Sequence, residues 1–148
     1  MPLVEVNEQL EVPAERVWGL VRDVEAYPRL MEPVRSLQVL EEGPDWVVTA
    51  WEVELKGSIL KWTEHEQRDE ERRRLTYHQI EGDLEQFDGY WQVTELTPEV
   101  TEAILIVRFE IGIPMLREML DPVAERAIRE NSRLMLRSLG TTHAGARA

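Results

Sequence analysis

A chain of 148 residues is the common size of a single domain, long enough to bury roughly 70% of the surface that its unfolded form exposes. Its 29 acidic against 17 basic residues give a formal charge of -12, a field that repels phosphate backbones and anionic lipid surfaces and so disfavours nucleic acid as a partner. The absence of cysteine excludes a disulfide framework, a thiolate nucleophile and any cysteine-ligated metal.

The opening Met1-Pro2-Leu3-Val4-Glu5 lacks the basic start and apolar run of a signal peptide. No later segment approaches the ~20 apolar residues that span a bilayer, so a cytoplasmic location is the default expectation. Residues Leu3 to Val12 alternate well enough for a first strand. Pro13 then suits a first helical position, and Val17, Leu20, Val21 and Val24 recur at helical spacing, which predicts a short helix over 13–24 with Trp18 beside its stripe. A second short helix, Glu25 to Met31, must take Pro28 in its first turn, and Pro33 ends it.

From Val34 to Ile111 the pattern becomes strands separated by turn chemistry: Glu42-Gly43-Pro44-Asp45, Lys56-Gly57, the charged run Arg68 to Arg74, Gly82-Asp83 and Thr97-Pro98-Glu99. This spacing predicts an antiparallel meander. In one strand Val47, Thr49, Trp51, Val53 and Leu55 share a face; in the last, Ala103, Leu105, Val107, Phe109 and Ile111 do. Pro114 to Leu120 can make one or two helical turns. Asp121-Pro122 reads as the N-cap and first position of a longer helix whose stripe runs through Val123, Ala124, Ala127, Ile128, Leu134 and Met135 to Leu139. Gly140 is the expected stop, which leaves a domain over 1–139 and a flexible tail over 140–148. Six strands and a long helix after one strand and two short helices fold most compactly as an α+β unit: a curved antiparallel sheet of about seven strands around the helix.

Val12-Pro13-Ala14-Glu15-Arg16-Val17-Trp18 and Asp23-Val24-Glu25-Ala26-Tyr27-Pro28-Arg29-Leu30 resemble the opening of START-like (SRPBCC) polyketide cyclase/dehydrase proteins. Leu60-Lys61-Trp62-Thr63-Glu64-His65, Gly89-Tyr90-Trp91 and Arg129-Glu130-Asn131 extend the match over about Leu3 to Leu139. The resemblance implies a helix-grip (START/Bet v 1-like) fold with an internal cavity for a small hydrophobic molecule. Similar chains include aromatase/cyclases, coenzyme Q-binding proteins and bacterial lipid-transport relatives, and fold alone does not choose among them.

In the aromatase/cyclases an aromatic before the proline and a bulky residue four positions on line the pocket entrance, which here are Tyr27 and Met31. On the fourth strand Leu60, Trp62, Glu64 and Glu66 share one face; turned inward, the two carboxyls would sit in a partly apolar cavity suited to acid/base work, and turned outward they would be solvated charges. Those relatives have an arginine where Glu66 stands, and a carboxylate reverses that local field. Gly89 shares the inner parity of its strand with Phe87 and Trp91, and leaves room for a ligand or lets the sheet bend. Asn131 interrupts the helix stripe and needs a partner.

His65 and His78 lack zinc-like spacing, and Ser36, Ser58, Ser132 and Ser138 lack a nucleophile-elbow context, so neither a metal nor a hydrolase site is expected, and no cofactor is implied. Arg72-Arg73-Arg74 after Asp69-Glu70-Glu71 reads as a solvated turn. Three functions follow. The first is a carrier of a quinone, lipid or polyketide-like molecule, contacted by Tyr27, Met31, Trp51, Leu60, Trp62, Gly89, Trp91, Phe109, Asn131 and Met135. The second is a cyclase or dehydratase, with an acyl carrier protein as a possible partner, in which Glu64, Glu66, Tyr77 or Asn131 moves protons. The third is a non-catalytic, ribosome- or partner-associated interaction module whose cavity is packed shut.

Overall fold

The computed structural model describes residues 3–55, 57–110 and 114–147, with side chains over 3–55, 57, 59–110 and 122–140. The expectations for Lys56 and Ile111, and for the Asp121 side chain as a cap, lie outside the described residues. Strand β1 (Leu3–Leu10) leads into α1 (Ala14–Arg22), a 3-10 turn (Val24–Ala26) and the short α2 (Tyr27–Leu30). Six strands follow: β2 (Val34–Glu42), β3 (Trp46–Leu55), β4 (Ser58–Asp69), β5 (Arg74–Gly82), β6 (Gln86–Thr97) and β7 (Val100–Glu110). Helix α3 spans Pro114–Arg147.

The seven strands form one antiparallel sheet in the order β1-β7-β6-β5-β4-β3-β2. Each hairpin connection is short, so neighbours in sequence pair; β1 alone returns to the far edge, beside β7, with Val4 opposite Val107 and Val6 opposite Leu105. Period-two alternation decides which face is inner. On β3, Val47, Thr49, Trp51 and Val53 are buried while Val48, Ala50, Glu52 and Glu54 are only partly so. On β7, Ala103, Leu105, Val107 and Phe109 are buried, and Ile106 on the opposite parity is buried as well, so both sides of that strand are covered locally.

Helix α1 turns Ala14, Val17, Trp18 and Val21 into the core. Its outer end is pinned to the β4–β5 turn, where Glu70 Oε1 accepts from Trp18 Nε1 at 2.8 Å and from Arg22 Nη1 at 3.0 Å. Those two bonds, the indole first, hold the Glu70 carboxyl below the usual carboxylate range. In the same turn Asp69 Oδ1 accepts from the Arg72 amide at 3.0 Å, and Arg73 takes a left-handed φ of 54°. The run of arginines is thus a hairpin turn. A non-glycine residue in that region carries strain of about 1–2 kcal/mol, part of which glycine gives back as unfolded-chain entropy. Arg73→Gly is therefore expected to leave stability unchanged or to raise it by up to about 1 kcal/mol, and a lowered urea midpoint would contradict this.

Helix α3 lies across the inner face. At the β1 edge Arg129 Nη1 donates to the Glu5 carbonyl at 3.0 Å and Arg137 Nε to Glu8 Oε1 at 2.6 Å; towards the other edge Asn131 Nδ2 donates to the Glu54 carbonyl at 2.7 Å. Its buried stripe is Ala127, Ile128, Ser132, Leu136 and Leu139. Burial of each large apolar member removes about 1.5–3 kcal/mol worth of apolar surface from water.

Three expectations for this helix are corrected. Val123 and Leu134 are 61% and 50% exposed, because at ~100° per residue both point more than about 100° away from Ile128. Asp121-Pro122 does not open a new helix: Pro122 lies inside the single helix, its fixed φ being helical, at the loss of one backbone hydrogen bond. Gly140 does not stop it either, since helical backbone continues to Arg147. A Cβ at Gly140 would come within 3.2 Å of Leu10 Cδ2, so this glycine serves the close approach of α3 to β1.

Candidate functional site

An apolar cavity of about 60 Å³ lies between the inner sheet face and α3. Trp51, Leu60, Trp62, Phe87 and Trp91 supply much of its sheet wall, and Ile128, Asn131, Ser132 and Met135 its helix wall. Glu64 and Tyr77 are the ionisable side chains among the described residues lining it. The helix wall arises because positions 128, 132 and 135 fall on one face; the sheet wall arises because Trp51 sits directly opposite Trp62, and Val53 opposite Leu60. The two indoles stack with centroids 5.4 Å apart, and Phe87 tilts against Trp62 at 4.9 Å.

The face of β4 that carries Trp62, Glu64 and Glu66 points inward. Glu64 is 3% exposed and Glu66 fully buried. Glu64 Oε1 accepts from Trp62 Nε1 at 2.6 Å. Behind it, Glu66 Oε2 accepts from the Thr49 hydroxyl at 2.5 Å, and Thr49 Oγ1 in turn accepts from Trp51 Nε1 at 2.7 Å. Glu66 Oε1 is buried without a hydrogen-bond partner. A proton on Glu64 donated to Glu66 would resolve that deficit. Burial first, then the negative charge and hydrogen bond of Glu66, push the Glu64 carboxyl well above the usual carboxylate range. Burial also raises Glu66, a rise that the hydrogen bonds from Glu64, Thr49 and Trp51 and the charge of Arg68 only partly offset.

Tyr77 faces inward on β5, which settles which side of that strand lines the cavity. Its ring crosses Gly89, the residue opposite it on β6, and its hydroxyl donates to the Ile106 carbonyl on β7 at 2.8 Å. Gly89 does not line the cavity; a Cβ there would lie 1.8 Å from the Ile106 carbonyl oxygen and 2.8 Å from Tyr77 Oη, so the glycine permits the close approach of both. Burial keeps the phenols of Tyr77 and Tyr27 well above their ordinary value, hence neutral donors.

Tyr27 stands one layer behind the cavity. Its hydroxyl donates to the Val21 carbonyl, and its ring packs against Trp51 and Trp91 with centroids 5.5 Å and 5.7 Å away. Met31 and Phe109 are fully buried and likewise absent from the lining. The cavity thus brings together Trp51, Leu60, Trp62, Glu64, Tyr77, Trp91, Asn131 and Met135, with Glu66 directly behind Glu64, and leaves Tyr27, Met31, Gly89 and Phe109 outside. Sequence reasoning missed Ser132 and Thr49. Ser132 is recoverable from its i, i+4 spacing after Ile128, and Thr49 from its place opposite Glu64 on the apolar face of β3.

His65 and His78 lie on the outer face, where their rings are 5.3 Å apart and His65 stacks on Trp46 at 5.6 Å. Among the described residues no group of three or more His, Asp or Glu is placed to hold a metal ion, and no helix is long and apolar enough to cross a membrane.

A seven-stranded antiparallel sheet packed on one long C-terminal helix is the START-like fold. Residues 10–135 match the family described as polyketide cyclase / dehydrase and lipid transport, and the chain belongs to that family. It is 31% identical over 117 residues to the actinorhodin polyketide synthase bifunctional cyclase/dehydratase of Streptomyces coelicolor, a match covering 75% of this chain and only 37% of that protein. Among solved structures, one from Thermus thermophilus superposes with a TM-score of 0.92 at 26% identity, covering 99% of this chain and all of the other. The Zhui aromatase/cyclase of a Streptomyces species gives 0.84 at 26% identity, covering 95% of this chain and 92% of that one.

Proposed function

We propose that this domain binds a small hydrophobic molecule in the cavity between the sheet and α3. The observation that carries the reading is an apolar wall, rich in aromatic surface, with one carboxyl set into it. Mainly apolar lining with a few convergent polar groups is the usual make-up of small-molecule sites. The cavity is narrow, with room for a few water-sized groups, so a larger ligand enters by displacing the partly buried side chains of Leu60, Trp62 and Met135. Family membership and the likeness to an aromatase/cyclase support the same reading. Native mass spectrometry of gently purified protein should show a bound apolar molecule, and Ser132→Phe, which fills the cavity from α3, should lose it. A protein that neither carries nor takes up any apolar compound would refute the proposal.

A second reading, proton-transfer chemistry, is favoured by the carboxyl pair. Aldol closure takes a proton from carbon and gives one to a carbonyl oxygen, and loss of water needs a proton on the departing hydroxyl. Glu64 borders the cavity with a pKa raised by burial, which suits it to give a proton, while Glu66 behind it has an unpartnered oxygen to take one up. Asn131 lines the facing helix wall of the same cavity. Glu64→Gln would then abolish turnover of a poly-β-ketone with binding retained; equal loss of binding and turnover would assign Glu64 to binding alone. The cavity is not filled by Trp62, Trp91 and Phe109, which weighs against a pure interaction module.

A further inference from the structure

The donors and acceptors around the cavity are unequally spent. Trp62 Nε1 is committed to Glu64, Trp51 Nε1 to Thr49, and the Tyr77 hydroxyl to the Ile106 carbonyl. Asn131 uses its amide nitrogen on the Glu54 carbonyl, which leaves Oδ1 as an acceptor. Glu66 Oε1 is a buried acceptor without a partner, so a ligand that only accepts hydrogen bonds competes with it for any proton on Glu64. A ligand that brings its own protons has no such competitor.

Charge points the same way. Glu64 is the acidic side chain that lines the cavity, with Glu66 behind it, and no Lys, Arg or His is among the described residues lining it. Next to Glu64 stand the rings of Trp62, Phe87 and Tyr77, the last two with centroids 5.8 Å apart. Aromatic faces beside a carboxylate attract an organic cation and repel an anion.

We infer that the cavity selects a hydrophobic amine, its ammonium group held against Glu64 among the rings of Trp62, Phe87 and Tyr77. This rests on the cavity being a ligand site. An ammonium there donates to Glu64 and to the Asn131 oxygen, and its charge lets both carboxyls ionise together.

Three probes of nearly equal size separate the possibilities: phenethylamine, phenethyl alcohol and phenylacetate, titrated by calorimetry into the whole protein. The amine should bind about tenfold or more tightly than the alcohol, and phenylacetate should bind most weakly. Glu64→Gln, an isostere of the protonated side chain, should reduce the amine to the level of the alcohol. Glu52→Gln, which removes the same formal charge from the outer face of β3, should preserve the preference and so discount general attraction to an acidic protein. Alcohol binding as tightly as amine, or a preference that survives Glu64→Gln, overturns the inference and leaves the ligand-site reading standing; no binding by any probe overturns both.

Discussion

Folding stability is expected to fall as pH rises above the ordinary carboxylate range, and Glu64→Gln is expected to remove much of that fall. Glu64 and Glu66 have folded-state pKa values raised above the ordinary value of 4.5. Between that value and the raised one the native state binds more protons than the unfolded chain, so the derivative of unfolding free energy with pH is negative. The pair's favourable contribution is fully present below 4.5 and is lost as pH climbs through the folded value of Glu64, the higher of the two. The limiting slope for one proton is about 1.4 kcal/mol per pH unit. Mutual repulsion in a chain of formal charge -12 acts in the same direction, but almost equally in both proteins. The difference between them isolates the pair: similar stability in acid, with the Gln variant gaining steadily above it. Denaturant melts giving parallel curves for the two proteins would show that Glu64 carries no proton.

Gly89→Ala should be the most damaging single-methyl change in the sheet. Its Cβ would fall 1.8 Å from the Ile106 carbonyl oxygen, a backbone atom that cannot swing aside, and 2.8 Å from Tyr77 Oη. Relief requires β6 and β7 to part locally and Tyr77 to give up its bond to that carbonyl. Overpacking costs typically 1–3 kcal/mol and an orphaned buried acceptor about as much again, so a loss of about 3 kcal/mol or more is expected. Tyr77→Phe removes the second component only and should cost about 1–2 kcal/mol. A urea midpoint for Gly89→Ala within about 1 kcal/mol of the parent would mean that the glycine is there for bending alone.

The sheet was legible from the chain because strand alternation is a parity: once Val47, Thr49, Trp51 and Val53 are assigned inward, Trp62, Glu64 and Glu66 follow through the β3–β4 register. The carboxyl pair was therefore visible before the structure. The unequal hydrogen bonding of its two members was not, because it depends on Thr49 reaching Glu66 from the neighbouring strand, with Trp51 behind it. The helix was read less well. Apolar residues at 123 and 134 suggested a broad stripe, and only contact with β1 and β3 selects the narrower one that buries Ser132 in preference to Leu134. Tyr27, Met31 and Phe109 show that an aromatic or bulky inward residue need not line the cavity: each is fully buried and absent from its wall. Depth behind a wall is a three-dimensional property with no period in the sequence.

The measurement closest to the central claim is an isotope-filtered NMR experiment recording intermolecular NOEs from phenethyl alcohol, a neutral probe whose binding does not depend on the charge argument. Contacts to the side-chain protons of Trp62, Phe87 and Met135 are expected, since these come from β4, β6 and α3 and meet only at the cavity. Contacts confined to outer-face residues such as Ser36, Gln38 and Thr63, or none at concentrations that saturate other apolar sites, would contradict the account.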